Sequence, residues 1–596
     1  MKMEHHQAWK ETESSFESSG HTRIFFRGWH PIAPRTDGEQ RALVFLHRGH
    51  EHSGRIQMLV AQLGCVHDCA FAWDARGHGY SPGARGDAPS FATLVQDFDA
   101  FIQHIQRDHG IALENIVVVA NSVGAVIAAT WLHDYGRRVR GVIMAAAAFH
   151  IKLYVPLAKP ALRLGLRIKP NLAVTSYIRA SMLTHSKEQA ALYDSDPLIA
   201  KSISARVLLE LADTAKRVVC AAAAIDTPVL MLVAGKDAVV SQAPQKTFFS
   251  RLSSKLKRYV MLDDSYHAIF HERDTTQALG ASRQFIADCF AQPDDAGRDI
   301  NADRSGASAD QYASMLAGTG MGVPKRLWYA AQKQALRVMG PLSEGMRIGL
   351  THGFDSGASL DYVYRNKAHG RLLFGKHMDR AYLDAVGWRG IRLRKIHLQQ
   401  SLEKLIASHP KSAPLRILDV AAGSGRYVLE TVKRFQQKQI EVCLRDFENG
   451  NLMQAKALAE SMQLQAKVTY EVKDAFDDAS YSADAGTFDI VIVSGLYELF
   501  SENAPVRRSL LGIARCLNVG GHLIYTAQPW HPQLETIART LNNHRGKPWV
   551  MRPRPQPEMD GLVSSTGLQK VSTQIGLEGI FNVSVARKRA MPAAVD

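Results

Sequence analysis

The sequence predicts an α/β protein built from two doubly wound domains in series, and three observations carry that prediction. Its 596 residues exceed what one hydrophobic core organises, since single domains stop growing near about 250–300 residues. Two separate stretches each alternate short apolar runs with helix-period sequence, the pattern of parallel strands joined by crossover helices. Between them, residues 292–322 are rich in Asp, Ala, Gly and Ser with little apolar periodicity, which predicts an interdomain linker.

In the first stretch the predicted strands are Ala42 to Leu46, Ala70 to Trp73, Ile116 to Ala120, Gly141 to Ala145, Val229 to Val233 and Arg258 to Leu262. Residues 1–23 form a polar N-terminal segment, and the domain proper spans 24–291. Helical sequence at about 150–217 interrupts the alternation and is expected to form a lid over the carboxyl edge of the sheet. In the second stretch the strands are Leu415 to Val420, Glu441 to Arg445, Lys467 to Glu471, Phe488 to Ser494 and Gly521 to Thr526, within a domain at 415–596. Residues 323–414, helical and rich in Arg and Lys, are expected to cap it.

Composition narrows the function classes. Hydrophobic residues make up 46% and charged residues 22%, as in ordinary globular proteins. The six cysteines (Cys65, Cys69, Cys220, Cys289, Cys443, Cys516) include no CxxC pair, so neither a disulfide framework nor a structural metal is indicated. The N-terminal sequence lacks the apolar core of a secretory signal, and no transmembrane segment is expected, which together predict a cytoplasmic location. A net charge of +15 favours anionic partners. Between Tyr135 and Lys187 there is no acidic residue, while Lys159, Arg163, Arg167 and Lys169 interleave with Leu162, Leu164, Leu166 and Ile168. That pattern suits peripheral contact with an anionic membrane surface. No nucleic-acid motif accompanies the charge, so no nucleic-acid partner is expected.

Ile116 to Gly124 reads IVVVANSVG, an apolar strand entering a turn of small residues and then an Ala-rich helix. Such a turn lifts Ser122 Oγ clear of the backbone. A nucleophilic serine needs a base and a carboxylate that orients it. Asp237 in GKDAVV and His267 in SYHAIFHE both follow buried strands, in the order Ser, Asp, His, and His271 is a competing base. These segments, together with FLHRGHEHSGR at 45–55 and DARGHGYS at 74–81, resemble the monoacylglycerol lipase, lysophospholipase and serine aminopeptidase branch of α/β hydrolases over about 24–290. The resemblance implies an α/β-hydrolase fold, a Ser122, Asp237, His267 triad, and an oxyanion hole formed by the Gly49 and Val123 amides. Two departures stand out: Ala120 replaces the usual first elbow glycine, and Arg48 occupies the position where the family has glycine. Arg48 either points away from the site or gives the pocket an anion-binding wall.

Ile417 to Arg426 reads ILDVAAGSGR, a strand and a glycine turn of the kind that admits a ligand close to the main chain. A dinucleotide fingerprint would place Gly or Ala at Val428, so that class is disfavoured. The segment resembles motif I of class I methyltransferases, and the resemblance extends over about 415–588. It implies a Rossmann-like fold that binds S-adenosylmethionine through Asp419, Ala421, Gly423 and Gly425. Asp446 would serve the ribose, and Asp474, Ala475 and Phe476 the adenine. Tyr497 and Glu498 follow the fourth strand as candidate acceptor-site residues.

The resulting expectation is a bifunctional enzyme, a serine ester hydrolase joined to an S-adenosylmethionine-dependent methyltransferase, acting on lipid-like or amphiphilic substrates. The alternative is a methyltransferase whose hydrolase-like half is a catalytically silent substrate-binding or membrane-targeting module.

Overall fold

The computed structural model describes residues 8–293, 298–410, 413–576 and 578–589. They fall into two compact units, Met1–Ala296 and Gly297–Asp596.

The first unit contains β1 (Trp9–Ser18), β2 (Thr22–Pro31), β3 (Ala42–Leu46), β4 (Cys69–Trp73), β5 (Ile116–Asn121), β6 (Gly141–Ala145), β7 (Ala173–Thr175), β8 (Ser202–Ser204), β9 (Val229–Ala234) and β10 (Lys257–Leu262). Eight of them form one sheet in the order β1-β2-β4-β3-β5-β6-β9-β10. From β4 to β10 every pairing is parallel, and β1 and β2 join antiparallel at one edge. All six residues of β5 are buried because helices cover both faces of the sheet. Alternation divides them between two layers: Ile116, Val118 and Ala120 pack in one core cluster, Val117 and Val119 in the other. The segment between β6 and β9 departs from the sheet as helices Ala158–Ile168, Lys187–Ser195 and Ala205–Cys220 with the small β7-β8 ribbon.

Of the expected polar N-terminal segment, residues 1–7 lie outside the described residues, and the rest forms β1 and the start of β2. The sequence WKETESSFES offers few apolar residues, yet β1 is an edge strand and needs only one buried side. Phe16 supplies it, stacking on Phe101 with ring centroids 4.9 Å apart.

The second unit contains β11 (Leu415–Val420), β12 (Ile440–Asp446), β13 (Lys467–Val472), β14 (Phe488–Val493), β15 (Leu517–Ala527), β16 (Leu568–Ile575) and β17 (Asn582–Lys588), ordered β13-β12-β11-β14-β15-β17-β16. The first five are parallel, and β17 and β16 close one edge antiparallel. This is a Rossmann-like sheet with its order reversing at β11, the position where such folds bind ligands. Five helices from Val323–Met339 to Val386–Ser408 precede it.

Of the segment expected to be a linker, residues 294–297 lie outside the described residues, and the remainder includes a helix. Ala307–Ala317 is a helix whose Met315 packs with Leu534 and Ile537, and Asp303 Oδ2 accepts the Asn503 amide at 2.8 Å. Polar composition hid an Ala-rich run of high helix propensity. No helix among the described residues is long and apolar enough to cross a membrane.

Candidate active sites

β5 ends at Asn121, and the helix Val123–Tyr135 begins two residues later, so Ser122 alone makes the turn. It does so at φ 52°, ψ −109°, a conformation costly for a residue with a Cβ. The surroundings hold it there: the Ser122 amide donates to Ala145 O at 2.9 Å. A Cβ at Gly124 would lie 2.8 Å from Leu46 Cβ and 2.9 Å from His47 O, so only glycine lets the helix approach β3 this closely.

The structure brings Ser122, His267 and Asp237 into one hydrogen-bonded chain. Ser122 Oγ is 2.9 Å from His267 Nε2, and His267 Nδ1 is 2.8 Å from Asp237 Oδ2. A carboxylate only accepts, so Nδ1 carries the proton and Nε2 faces the serine as an acceptor. Asp237 Oδ1 accepts the amides of Val239 and Val240 at 2.7 and 2.9 Å. Burial pushes the Asp237 carboxyl up, and the opposing charge and hydrogen bond of His267, with the two amides, hold it below the usual carboxylate range. Gly49 lies against Val123, where a Cβ would come within 3.0 Å of Val123 Cγ2. His271 does not reach the serine; its Nε2 faces Arg55 O at 3.1 Å, and burial lowers its pKa to about 4.

Ser122 and His267 open into a cavity of about 470 Å³. The inserted segment supplies its apolar wall, with Leu153, Leu162, Ile178 and Leu208, while the loop after β3 supplies Arg48, Gly49, His50 and Glu51. Arg48 is therefore one of the residues lining the pocket, with its guanidinium held on Glu51.

In the second unit, β11 ends in a turn with Ala421, Gly423 and Gly425 all at positive φ (55°, 56° and 60°). Space above Gly423 is open, whereas a Cβ on Gly425 would lie 2.8 Å from Leu444 Cδ1. Asp446, ending the neighbouring β12, accepts the Gly423 amide at 2.8 Å through Oδ2, and through Oδ1 the Glu448 amide at 2.9 Å and Asn451 Nδ2 at 3.0 Å. Asp446 thus ties the glycine turn to β12. Asp419 is fully buried; Tyr427 Oη donates to its Oδ1 at 2.6 Å, and its Oδ2 has no partner. Asp474 Oδ1 caps its own turn by accepting the Phe476 amide at 2.9 Å, and Phe476 packs edge-on against Phe500. An open glycine turn, tied by Asp446 to the neighbouring strand end, fits a nucleoside ligand such as S-adenosylmethionine.

A second cavity, of about 310 Å³, lies where β14 ends, at Gly495 and Glu498. Its walls are largely apolar and aromatic, including Phe354, Tyr382, Trp388 and Phe581. Three of its polar residues are buried: Arg394 and Glu498 form a loose pair at 3.7 Å, and His531 is lowered to about 4 by burial. Of the two sequence candidates here, Glu498 lines the cavity, whereas Tyr497 turns into the core and donates to Ser509 Oγ at 3.0 Å. Arg394 and His531 were not foreseen. They lie 104 residues before Glu498 and 33 after it, and no sequence signal joins them.

Asp419 carries a pH prediction. Burial pushes its carboxyl up, the Tyr427 hydrogen bond opposes this and the Asp446 charge adds to it, giving about 8 against 3.8 when unfolded. The folded chain therefore holds a proton that the unfolded chain releases, so this contribution is complete below the unfolded pKa and is lost as pH rises towards 8. Each pKa unit corresponds to ~1.4 kcal/mol, and 1 kcal/mol moves the Tm of a domain this size by about 2–4 °C. Asp419→Asn cannot titrate. In thermal unfolding of the second unit it should gain several degrees on the wild type between pH 5 and pH 8; parallel curves would contradict the assignment.

Residues 282–588, just over half of the chain, match the family profile described as "Putative methyltransferase", and residues 38–274 match "Serine aminopeptidase, S33". The chain is 42% identical over 579 residues to "Uncharacterized protein YnbC" of Escherichia coli strain K12, covering 97% of this chain and 98% of the relative. Its first half is 25% identical to "Phospholipase YtpA" of Bacillus subtilis strain 168 over 254 residues, 42% of this chain and 96% of that protein. It is 27% identical to "Monoacylglycerol lipase" of Mycolicibacterium smegmatis over 276 residues, 45% of this chain and 94% of that protein. The chain thus belongs to this methyltransferase family, and its first half has an α/β-hydrolase fold that matches the serine aminopeptidase S33 profile.

Proposed function

We propose that the chain is a bifunctional enzyme: a serine hydrolase that cleaves acyl esters of lipid-like amphiphiles, joined to an S-adenosylmethionine-dependent methyltransferase. The observation that carries the first half is the Ser122, His267, Asp237 hydrogen-bonded chain at a strained elbow. His267 Nε2 accepts the Ser122 proton as Oγ attacks the ester carbonyl, and Asp237 stabilises the imidazolium. The Gly49 and Val123 amides receive the developing oxyanion; donors of this kind contribute roughly 3–4 kcal/mol each. His267 then protonates the departing alcohol, and afterwards draws a proton from the water that releases the acyl group. The apolar wall of the cavity suits an acyl chain, in keeping with the lipase and phospholipase names of the relatives.

In the second half, S-adenosylmethionine when bound supplies a methyl group already activated by its sulfonium. The residues that would hold it are the Gly423 and Gly425 turn fixed by Asp446, with Asp419, Asp474, Ala475 and Phe476. The acceptor occupies the aromatic cavity, where Glu498 and Arg394 orient its polar end. Mass spectrometry of a lipid extract treated with the full chain and methyl-deuterated S-adenosylmethionine tests both activities. Loss of one acyl chain and gain of one labelled methyl group are expected, and an unchanged extract counts against the reading.

The insertion also suits peripheral membrane contact. On the helix Ala158–Ile168, Ala161 and Leu162 line the cavity, while Leu164 and Ile168 are exposed beside Arg163 and Arg167. Vesicles containing anionic lipid should co-sediment the chain several-fold more than neutral vesicles, and Leu164→Gln with Ile168→Gln should abolish the difference. Equal sedimentation on both vesicles would refute membrane contact.

A further inference from the structure

The loop after β3 holds more positive charge than its own contacts use. His47 fixes the loop: its Nε2 accepts the Ala75 amide at 3.0 Å, and its Nδ1 donates to Arg48 O at 2.7 Å. The Arg48 side chain, 7% exposed, uses one edge of its guanidinium on Glu51, through Nε to Oε2 at 2.9 Å and NH2 to Oε1 at 2.5 Å. Glu51 Oε1 also accepts Arg55 Nε at 3.0 Å. Two buried guanidinium groups therefore share one carboxylate, and Arg48 NH1 has no partner.

The other titratable groups around Arg48 leave that surplus in place. Burial lowers His50 to about 4 and, with the Arg48 charge, lowers His271 to about 4, so both are neutral. Tyr193 is raised to about 12, chiefly by burial, and is neutral too. The Asp237 carboxylate is nearby but already accepts His267 and two amides. A desolvated guanidinium edge with no acceptor is costly. An ion pair serving structure alone would need only Arg55 for Glu51. The unused edge belongs to a residue that lines the same cavity as Ser122 and His267, at a position where the resembled hydrolases carry glycine.

We propose that Arg48 is a specificity-determining residue, whose free guanidinium edge binds an anionic group, phosphate or carboxylate, on the alcohol portion of the ester cleaved at Ser122. The polarity of the cavity sets that orientation. The inserted segment offers an apolar wall to the acyl chain, so the charged portion of the substrate is left for the Arg48 loop. The inference rests on the proposed hydrolase activity of Ser122. It goes further by committing that activity to anionic amphiphiles over neutral acylglycerols.

The test compares three esters of one eight-carbon acyl chain, each below its critical micelle concentration so that surface charge plays no part. They are 1-acylglycerol (neutral), 3-O-acylglycerate (carboxylate) and 1-acylglycerol 3-phosphate. With the full-length wild type, kcat/KM for at least one anionic ester should exceed that for the neutral one by about ten- to hundredfold, the value of one charge-assisted hydrogen bond. Preference for both anions assigns charge as the determinant; preference for the phosphate alone assigns phosphate. Arg48→Gln should bring the ratio near one, and Arg48→Lys should restore part of it. A wild-type ratio near or below one overturns the proposal whether or not the variants fold, and so does a preference that survives in Arg48→Gln. Failure to cleave any ester, with Ser122 inert to an alkyl fluorophosphonate, would be a different result: it would remove the hydrolase reading beneath.

Discussion

Ser122→Ala should lower acyl-ester turnover by at least about 10⁴-fold while leaving the Tm within a degree or two. The size follows from how the three groups act: loss of either the nucleophile or the base of such a triad removes nearly all of its catalysis, leaving what the oxyanion donors provide. The small effect on stability follows from the geometry. The φ of 52° is held by the hydrogen bond that the Ser122 amide donates to Ala145 O and by the close packing of Gly124, neither of which involves the Ser122 hydroxyl. Asp237→Asn should cost about 10³–10⁴-fold, because an amide can present its NH2 to His267 and favour the tautomer whose Nε2 is protonated, leaving the base without its acceptor. Steady-state rates on a short acyl ester measure both. Turnover of Ser122→Ala within tenfold of wild type would show that hydrolysis occurs elsewhere.

Asp446→Ala should weaken S-adenosylmethionine binding by about 100-fold in titration calorimetry. The carboxylate holds the glycine turn. Its two oxygens accept Gly423 N, Glu448 N and Asn451 Nδ2, so its removal frees the glycine turn from β12 and leaves three donors without their acceptor. Hydrogen bonds to charged groups contribute roughly 1.5–3 kcal/mol each, and one or two of them lost in the bound state give an effect of this order. Asp446→Asn, which keeps one acceptor, should fall between the two. Wild type that binds no S-adenosylmethionine would remove the cofactor assignment, and an Asp446→Ala affinity within threefold of wild type would remove the role of Asp446.

Strand ends were the legible part of this chain. In parallel sheets the carboxyl ends of buried strands carry the functional groups, so Ser122, Asp237, His267, Gly423 and Asp446 could each be placed from an apolar run and the residues following it. The antiparallel edges were not legible. β1 has only Trp9 and Phe16 as large apolar residues in ten, and β16 reads LQKVSTQI, since edge strands bury one side or less. Nor was the direction of a side chain at a turn. Tyr497 and Glu498 are neighbours, yet one enters the core and the other the cavity, a choice made by packing against Ser509. The Arg48 position stood out in sequence, but its bidentate hold on Glu51 and its unpaired edge depend on burial that only the fold supplies. The aromatic cavity draws on the helical region, the segment after β14 and the segment after β15, and no short motif spans that separation.

The most direct test of the central claim is the intact mass of the full-length chain after exposure to an alkyl fluorophosphonate. Reaction requires a serine made nucleophilic by a hydrogen-bonded base, the arrangement seen at Ser122 and His267. One adduct, mapped to Ser122 and absent from Ser122→Ala and His267→Ala, is the predicted result; an unmodified wild-type chain, or an adduct on another residue, would contradict it.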